Sequence, residues 1–158
     1  MMRPTLPEDT LGLLALTQGT GMFKPIEVQA LREVLDDYHA MNREHGHRCI
    51  TEEEQGLLRG YAYFAPAAMT DRTWYLYWIA VDKKLQGQGL GGAMLRHVEV
   101  AIRRENGRHL LIETGSVPLY EPTRQFYLRN GYQQVAVIPD YYAVGDSMVI
   151  FRKVLSAE

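Results

Sequence analysis

Apolar positions along the chain follow two rhythms, and the change from one to the other marks its centre. From Tyr75 to Val81 the sequence reads Y-L-Y-W-I-A-V, aromatic and β-branched throughout, which predicts a strand buried on both faces. From Leu90 onward the apolar residues Leu90, Met94, Val98 and Ala101/Ile102 recur at helical spacing, with Arg96, Glu99 and Arg103 off the stripe. Asn106-Gly107 supplies the stop. Between strand and helix lie Gln86-Gly87-Gln88-Gly89-Leu90-Gly91-Gly92. So many glycines suit neither element, and they mark a turn where backbone passes close to something. Strand, glycine loop and helix in that order make an anion site, because the first amides of the helix lack intrahelical partners and the helix dipole favours negative charge there.

The same reading extends to the rest of the chain. Thr5-Leu6-Pro7-Glu8 has the form of a capping box and predicts a short helix to about Leu16, burying Leu11 and Leu14. Thr17 to Gly21 then reads as loop. A second helix starts at Pro25, with Val28, Leu31, Leu35 and Tyr38 as its stripe. Arg48–Glu53 and Leu57–Pro66 read as strands around a turn at Glu54-Gln55-Gly56, and a turn at Thr70-Asp71-Arg72 leads into the central strand. His109–Glu113 is a short buried strand. A helical crossover joins it to the central strand, so the two should run parallel. Pro122 opens a short helix closed by Asn130-Gly131. Gln133–Ile138 and Met148–Leu155 are the last strands, and P-D-Y-Y-A-V-G-D between them reads as a long loop of the kind that often carries function. The expected class is α+β, a mixed sheet of six or seven strands with about four helices.

At 158 residues the chain predicts one domain spanning 1–158. A net charge of −2 gives no electrostatic case for a nucleic-acid partner. The first residues lack a signal-peptide core, and no run approaches the roughly 20 apolar residues needed to cross a bilayer, so no membrane partner is expected. The one cysteine, Cys49, cannot form an internal disulfide, which suits a reducing, cytoplasmic setting. His45 and His47 lack further ligands at zinc spacing, so no metal is expected. Glu52-Glu53-Glu54 reads as a solvated hairpin tip, and Cys49 as a small buried hydrophobe.

Gly87-Gln88-Gly89-Leu90-Gly91-Gly92 meets the dinucleotide pattern G-x-G-x-x-G, with Glu113 about twenty residues further on where a ribose-binding acid would sit. Against that reading, Asp82 to Gln86 separate strand from glycines, the earlier strands are antiparallel in character, and too little chain follows for further parallel units. The pattern Q/R-x-x-G-x-G/A fits Gln86-Gly87-Gln88-Gly89-Leu90-Gly91 without strain. With I-A-V before it, the amphipathic helix after it and F-Y-L-R-N-G-Y downstream, the sequence resembles the GNAT superfamily of N-acyltransferases from about Cys49 to Leu155.

That resemblance implies a V-shaped mixed sheet with acetyl-CoA in its splay as acyl donor, and no metal. Backbone amides around Gln86, Gly87, Gln88, Gly89, Leu90, Gly91 and Gly92 would hold the pyrophosphate, while Ile79, Ala80 and Val81 would pair with the pantetheine arm. Tyr127 matches the family's general-acid tyrosine, and a half-buried core tyrosine is the plain alternative. Glu113 is the candidate base, acting through water, unless it only fixes the Thr114-Gly115-Ser116 loop. Thr123 would face the coenzyme. There the sequence departs from the family: Tyr120 and Thr123 stand where an asparagine and an alanine are common. Met22, Phe23, Asp140, Tyr141 and Tyr142 would line an acceptor amine's site, the last three being equally explicable as a turn with aromatic cover. The implied reaction is direct acetyl transfer to a primary amine of a small molecule or peptide. A non-catalytic acyl-CoA sensor is the alternative, which need not keep Tyr127. The resemblance also allows an exposed final strand to pair across a homodimer.

Overall fold

The computed structural model describes residues 1–156. Seven strands, β1 (Met2–Pro4), β2 (Arg48–Glu54), β3 (Leu57–Pro66), β4 (Thr73–Val81), β5 (His109–Gly115), β6 (Gln133–Ala143) and β7 (Asp146–Val154), form one sheet in the order β1-β2-β3-β4-β5-β7-β6. Four α-helices accompany them: α1 (Thr10–Gly19), α2 (Pro25–Ala40), α3 (Leu90–Arg104) and α4 (Glu121–Arg129). β4 and β5 run parallel across the α3 crossover, as the connection requires, and β5, β7 and β6 are antiparallel. Two compact units can be told apart: Met1–Pro66 with Trp78–Val98, and Ala67–Tyr77 with the chain from Glu99 onward.

In the first unit α1 and α2 bury Leu13, Leu16, Leu31 and Leu35 in a core shared with Tyr61 and Tyr63 of β3. The expected N-terminal capping box is replaced by something else. The Thr5 hydroxyl is buried against that of Thr51 at 2.6 Å, and the Asp9 carboxylate accepts from the Leu6 N–H at 2.8 Å. Residues 2–4 are therefore free to add a strand to β2. Burial alone would raise the Asp9 carboxyl, but the Arg3 guanidinium and the Leu6 amide outweigh it and hold the group below its ordinary range. α1 begins later and runs further than expected, taking in Thr17. The Thr17 hydroxyl donates to the Leu13 carbonyl and meets the Tyr61 hydroxyl at 2.7 Å, so a residue of poor helix propensity is held by tertiary bonds. Leu11 is exposed instead of buried.

The Glu52–Glu54 segment is not a solvated tip. Glu52 is buried, Glu53 is bonded to Arg3, and Glu54 to Arg59. The β2–β3 turn closes through Gln55 and Gly56, both at positive φ. Cys49 is 2% exposed, and burial pushes its thiol up to about 12.

In the second unit one face of the sheet carries most of the core, while Thr73 and Met148 are buried at the ends of the other. Trp74 and Leu76 of β4, Leu110 and Ile112 of β5, and Val149 and Phe151 of β7 all lie inside. Tyr75 and Tyr77 alternate with the first pair and point to the opposite, open face, so β4 is not buried on both sides as its composition suggested. The last connection is also shorter than expected. β6 continues to Ala143 through an irregularity after Ile138, and only Val144-Gly145 turn the chain into β7. Asp140 sits at φ 54°, and its carboxylate accepts from the Gly145 N–H at 2.9 Å, which ties off the hairpin end.

Candidate active site

The first unit carries the glycine loop. β4 ends at Val81, Asp82 accepts from the Lys84 N–H, and a single turn at Lys83–Leu85 leads to Gln86. Gly87 and Gly89 take φ of 79° and 86°, a region that L side chains rarely adopt. Open space surrounds the position of a Cβ at both. The amide side chains of Gln86 and Gln88 fold inward onto the carbonyls of Val81 and Lys84. The N–H groups of Gln86, Gly87, Gln88 and Gly89 donate to nothing among the described residues. Those of Leu90, Gly91 and Gly92 belong to the first turn of α3, where no intrahelical acceptor exists. A row of bare amides at a helix start, with no side chain in the way, fits a diphosphate.

Close packing fixes the approach to this loop. A Cβ on Gly60 would come within 2.9 Å of the Ala80 carbonyl and 2.8 Å of the Met94 sulfur, so β3, β4 and α3 meet where only glycine fits. Ala80 is buried, whereas Ile79 and Val81 are half-buried. Phe23, beside the half-buried Met22, stacks on Trp78 with ring centroids 5.8 Å apart. That stack accounts for Phe23 as packing of the α1–α2 connection against β4, with Trp78 as the partner that the sequence reading did not single out.

The second unit carries Tyr127. Its ring lies in the core, 5.6 Å from Phe151 and 6.0 Å from Tyr132. No partner for its hydroxyl is present among the described residues, and burial alone raises its pKa. What holds the ring in place is well defined. Tyr132 donates its N–H to the Tyr127 carbonyl at 3.0 Å and its hydroxyl to the Glu99 carboxylate at 2.8 Å. Glu99, itself buried, is neutralised by the Lys153 ammonium at 2.9 Å, which also donates to the Asn130 carbonyl. Such a paired and fully bonded carboxylate is a fixed anchor. Thr123 lies half-buried in the first turns of α4, after Pro122.

The register of β4 with β5 ends at Leu76↔Ile112, so Glu113, Thr114 and Gly115 pair only with β7. Glu113 points to the open face, and burial without a neighbouring cation raises its carboxyl. Tyr77 and Tyr75 stack beside it at 5.7 Å, and burial followed by the charges of Tyr75 and Glu113 lifts the Tyr77 phenol. The alternation of phenols with Leu76 was the available signal for this pair. Tyr141 and Tyr142 meet edge to face at 5.0 Å on exposed β6. Asp140 is committed to the hairpin end. Among the described residues no three His, Cys, Asp or Glu side chains cluster as metal ligands, and no helix is long and apolar enough to cross a membrane.

A family model described as an acetyltransferase (GNAT) domain matches residues 44–134. The fold superposes on a GNAT-family protein from Desulfovibrio desulfuricans with a TM-score of 0.95 and 34% identity, covering 99% of each chain. It also superposes on an aminoglycoside 6'-N-acetyltransferase complexed with coenzyme A, with a TM-score of 0.79 and 14% identity over 100% of this chain and 98% of that one. A curated relative, the tRNA(Met) cytidine acetyltransferase of Aeropyrum pernix, is 38% identical over 86 residues, 54% of this chain, but the match spans only 12% of that protein. Sequence motif, fold and these likenesses agree, and the chain belongs to the GNAT family of acetyltransferases.

Proposed function

We propose that this chain, acting as one domain, moves an acetyl group from acetyl-CoA to a primary amine of a small molecule or peptide by direct transfer. The row of unpartnered amides from Gln86 to Gly92, opened by Gly87 and Gly89 at positive φ, carries this reading. The coenzyme supplies the acetyl group as a thioester whose carbonyl carbon the amine attacks as the C–S bond breaks. The backbone at Ile79, Ala80 and Val81 aligns the donor's amide-bearing arm, and Thr123 borders it. Tyr127, protonated because burial disfavours its phenolate, gives its proton to the departing thiolate.

An alkylamine of pKa near ~10.4 is neutral about once in ~2,500 molecules at pH 7, a penalty of roughly 4–5 kcal/mol. Glu113 offsets it by taking a proton from the ammonium, directly or through one water. Its raised pKa makes it a stronger base than an ordinary carboxylate. The sign follows. Below that pKa Glu113 is protonated and cannot accept, so kcat/KM falls as pH drops through a limb lying above the usual carboxylate range. Glu113→Gln removes the limb and lowers kcat by ~10²–10⁴-fold. Unchanged rate and pH profile would exclude the base role. Coenzyme A thiol release against a panel of amines tests the activity as a whole, and turnover of none would overturn it.

The reading extends to a homodimer. The final strand, β7, lies inside between β5 and β6 and offers no edge, so the pairing falls to β6, an edge strand in which every residue from Gln133 to Ala143 is exposed, including Val135, Val137 and Ile138. An edge of that length and apolarity is a template for pairing, met here by β6 of a second copy. Light scattering should give twice the chain mass, and Val137→Lys should halve it. A monomer at tens of micromolar would rule this out.

A further inference from the structure

The open face of the second unit's sheet displays an anion and a cation that nothing else in the described chain neutralises. Residues directly opposite in a ladder share a face. Tyr75, Leu111 and Arg152 therefore form one row across β4, β5 and β7. Glu113 and Ile150 form the next row, and Tyr77, two residues beyond Tyr75, stands on the same face. Tyr77 is 54% exposed, whereas Leu110 and Phe151, on the reverse, are 0% exposed.

Glu113 has no basic partner among the described residues. Arg152 has no acidic partner among the described residues. Its Nε donates to His109 Nδ1 at 2.8 Å, and His109 Nε2 meets the Thr73 hydroxyl at 2.6 Å. Accepting at Nδ1 keeps the imidazole neutral, in line with the lowering of its pKa by burial, Arg152 and Arg108. The histidine thus orients the guanidinium without discharging it, and both terminal nitrogens stay available. Glu113 and Arg152 are diagonal neighbours on antiparallel strands, about 7–8 Å apart at the backbone, and they do not pair with each other.

We propose that this pair seats a zwitterionic acceptor, a free amino acid with its ammonium at Glu113, its carboxylate on Arg152 and an apolar or aromatic side chain over Tyr75 and Tyr77. This rests on the transferase reading above and names its substrate class. Guanidinium is the natural fork for a carboxylate. A polyamine would bring a second positive charge to Arg152, and an amino sugar or peptide N-terminus has no carboxylate next to its amine.

In the transfer, the acceptor ammonium gives one proton to Glu113. The nitrogen bonds to the acetyl carbon and the C–S bond breaks. The thiolate takes the Tyr127 proton, and the second proton leaving nitrogen makes good that loss. The products are an N-acetyl amino acid and coenzyme A, with one proton passed from Glu113 to solvent.

The test compares kcat/KM of the wild-type protein for phenylalanine, phenylalanine methyl ester and phenethylamine, with spermidine and an alanyl peptide alongside. Losing the carboxylate should cost roughly 10- to 100-fold, mainly in KM, the worth of one charge-assisted hydrogen-bond pair. Arg152→Gln should bring the acid-to-amine ratio near one, and Arg152→Lys should restore part of it. Equal or faster turnover of phenethylamine, spermidine or the peptide overturns the seat while leaving the transferase reading standing. Binding of coenzyme A with no turnover of any compound removes the transferase reading, and the seat with it.

Discussion

Gly89→Glu should weaken coenzyme A binding by roughly 100-fold or more while the protein stays folded. Gly89 sits at φ 86°, and an L residue there costs on the order of 1–2 kcal/mol, too little to unfold a domain of this size. The space around its Cβ is open, so a longer side chain meets no wall. The loss falls on the ligand instead. A carboxylate at the start of α3 occupies the region toward which the bare amides and the helix dipole draw an anion, and it repels the diphosphate. Forfeiting two charge-assisted hydrogen bonds at about 1.5–3 kcal/mol each predicts a loss of roughly 100-fold or more. Titration calorimetry reads it directly. Gly89→Ala separates strain from charge and should fall between wild type and the glutamate. Wild-type heat with Gly89→Glu would sink the loop assignment, as would binding of a nicotinamide dinucleotide in place of coenzyme A.

Tyr127→Phe should lower kcat by ~10²–10⁴-fold and leave KM for acetyl-CoA nearly unchanged. The ring contacts with Phe151 and Tyr132 survive the substitution, so the core is not disturbed. Because the lost hydroxyl has no partner among the described residues, melting temperature should hold or rise slightly. Burial keeps the phenol protonated well past neutrality, so wild-type kcat should show no falling limb from this group across the usual assay range. A packing tyrosine would give the opposite pattern, with kcat intact. That result would remove the acid role without touching the donor site.

The parts of the fold that depend on local pattern were legible beforehand: α2 from Pro25, the β2–β3 hairpin, the parallel pairing of β4 with β5 and the loop before α3. What escaped depends on tertiary bonds or register. Thr17 extends α1 only because its hydroxyl donates to the Leu13 carbonyl and accepts from the Tyr61 hydroxyl. Pro139 and Asp140 look like loop residues, yet β6 runs past them because its pairing with β7 absorbs an irregularity. Tyr127 and the glycines were visible as a spaced motif. Arg152 was not, since only the alignment of β5 with β7 brings a residue near the chain's end beside Glu113. Nor could Glu99, Tyr132 and Lys153 be seen as one unit, because helix, loop and strand contribute one group each.

The deep placement of Cys49 makes a continuous optical assay clean. It is the chain's one sulfhydryl, shielded by the core and reluctant to ionise. A chromogenic disulfide added to the cuvette would react with each released coenzyme molecule and not with the enzyme, so the colour would count turnovers from the first seconds and a blank without acceptor would stay flat.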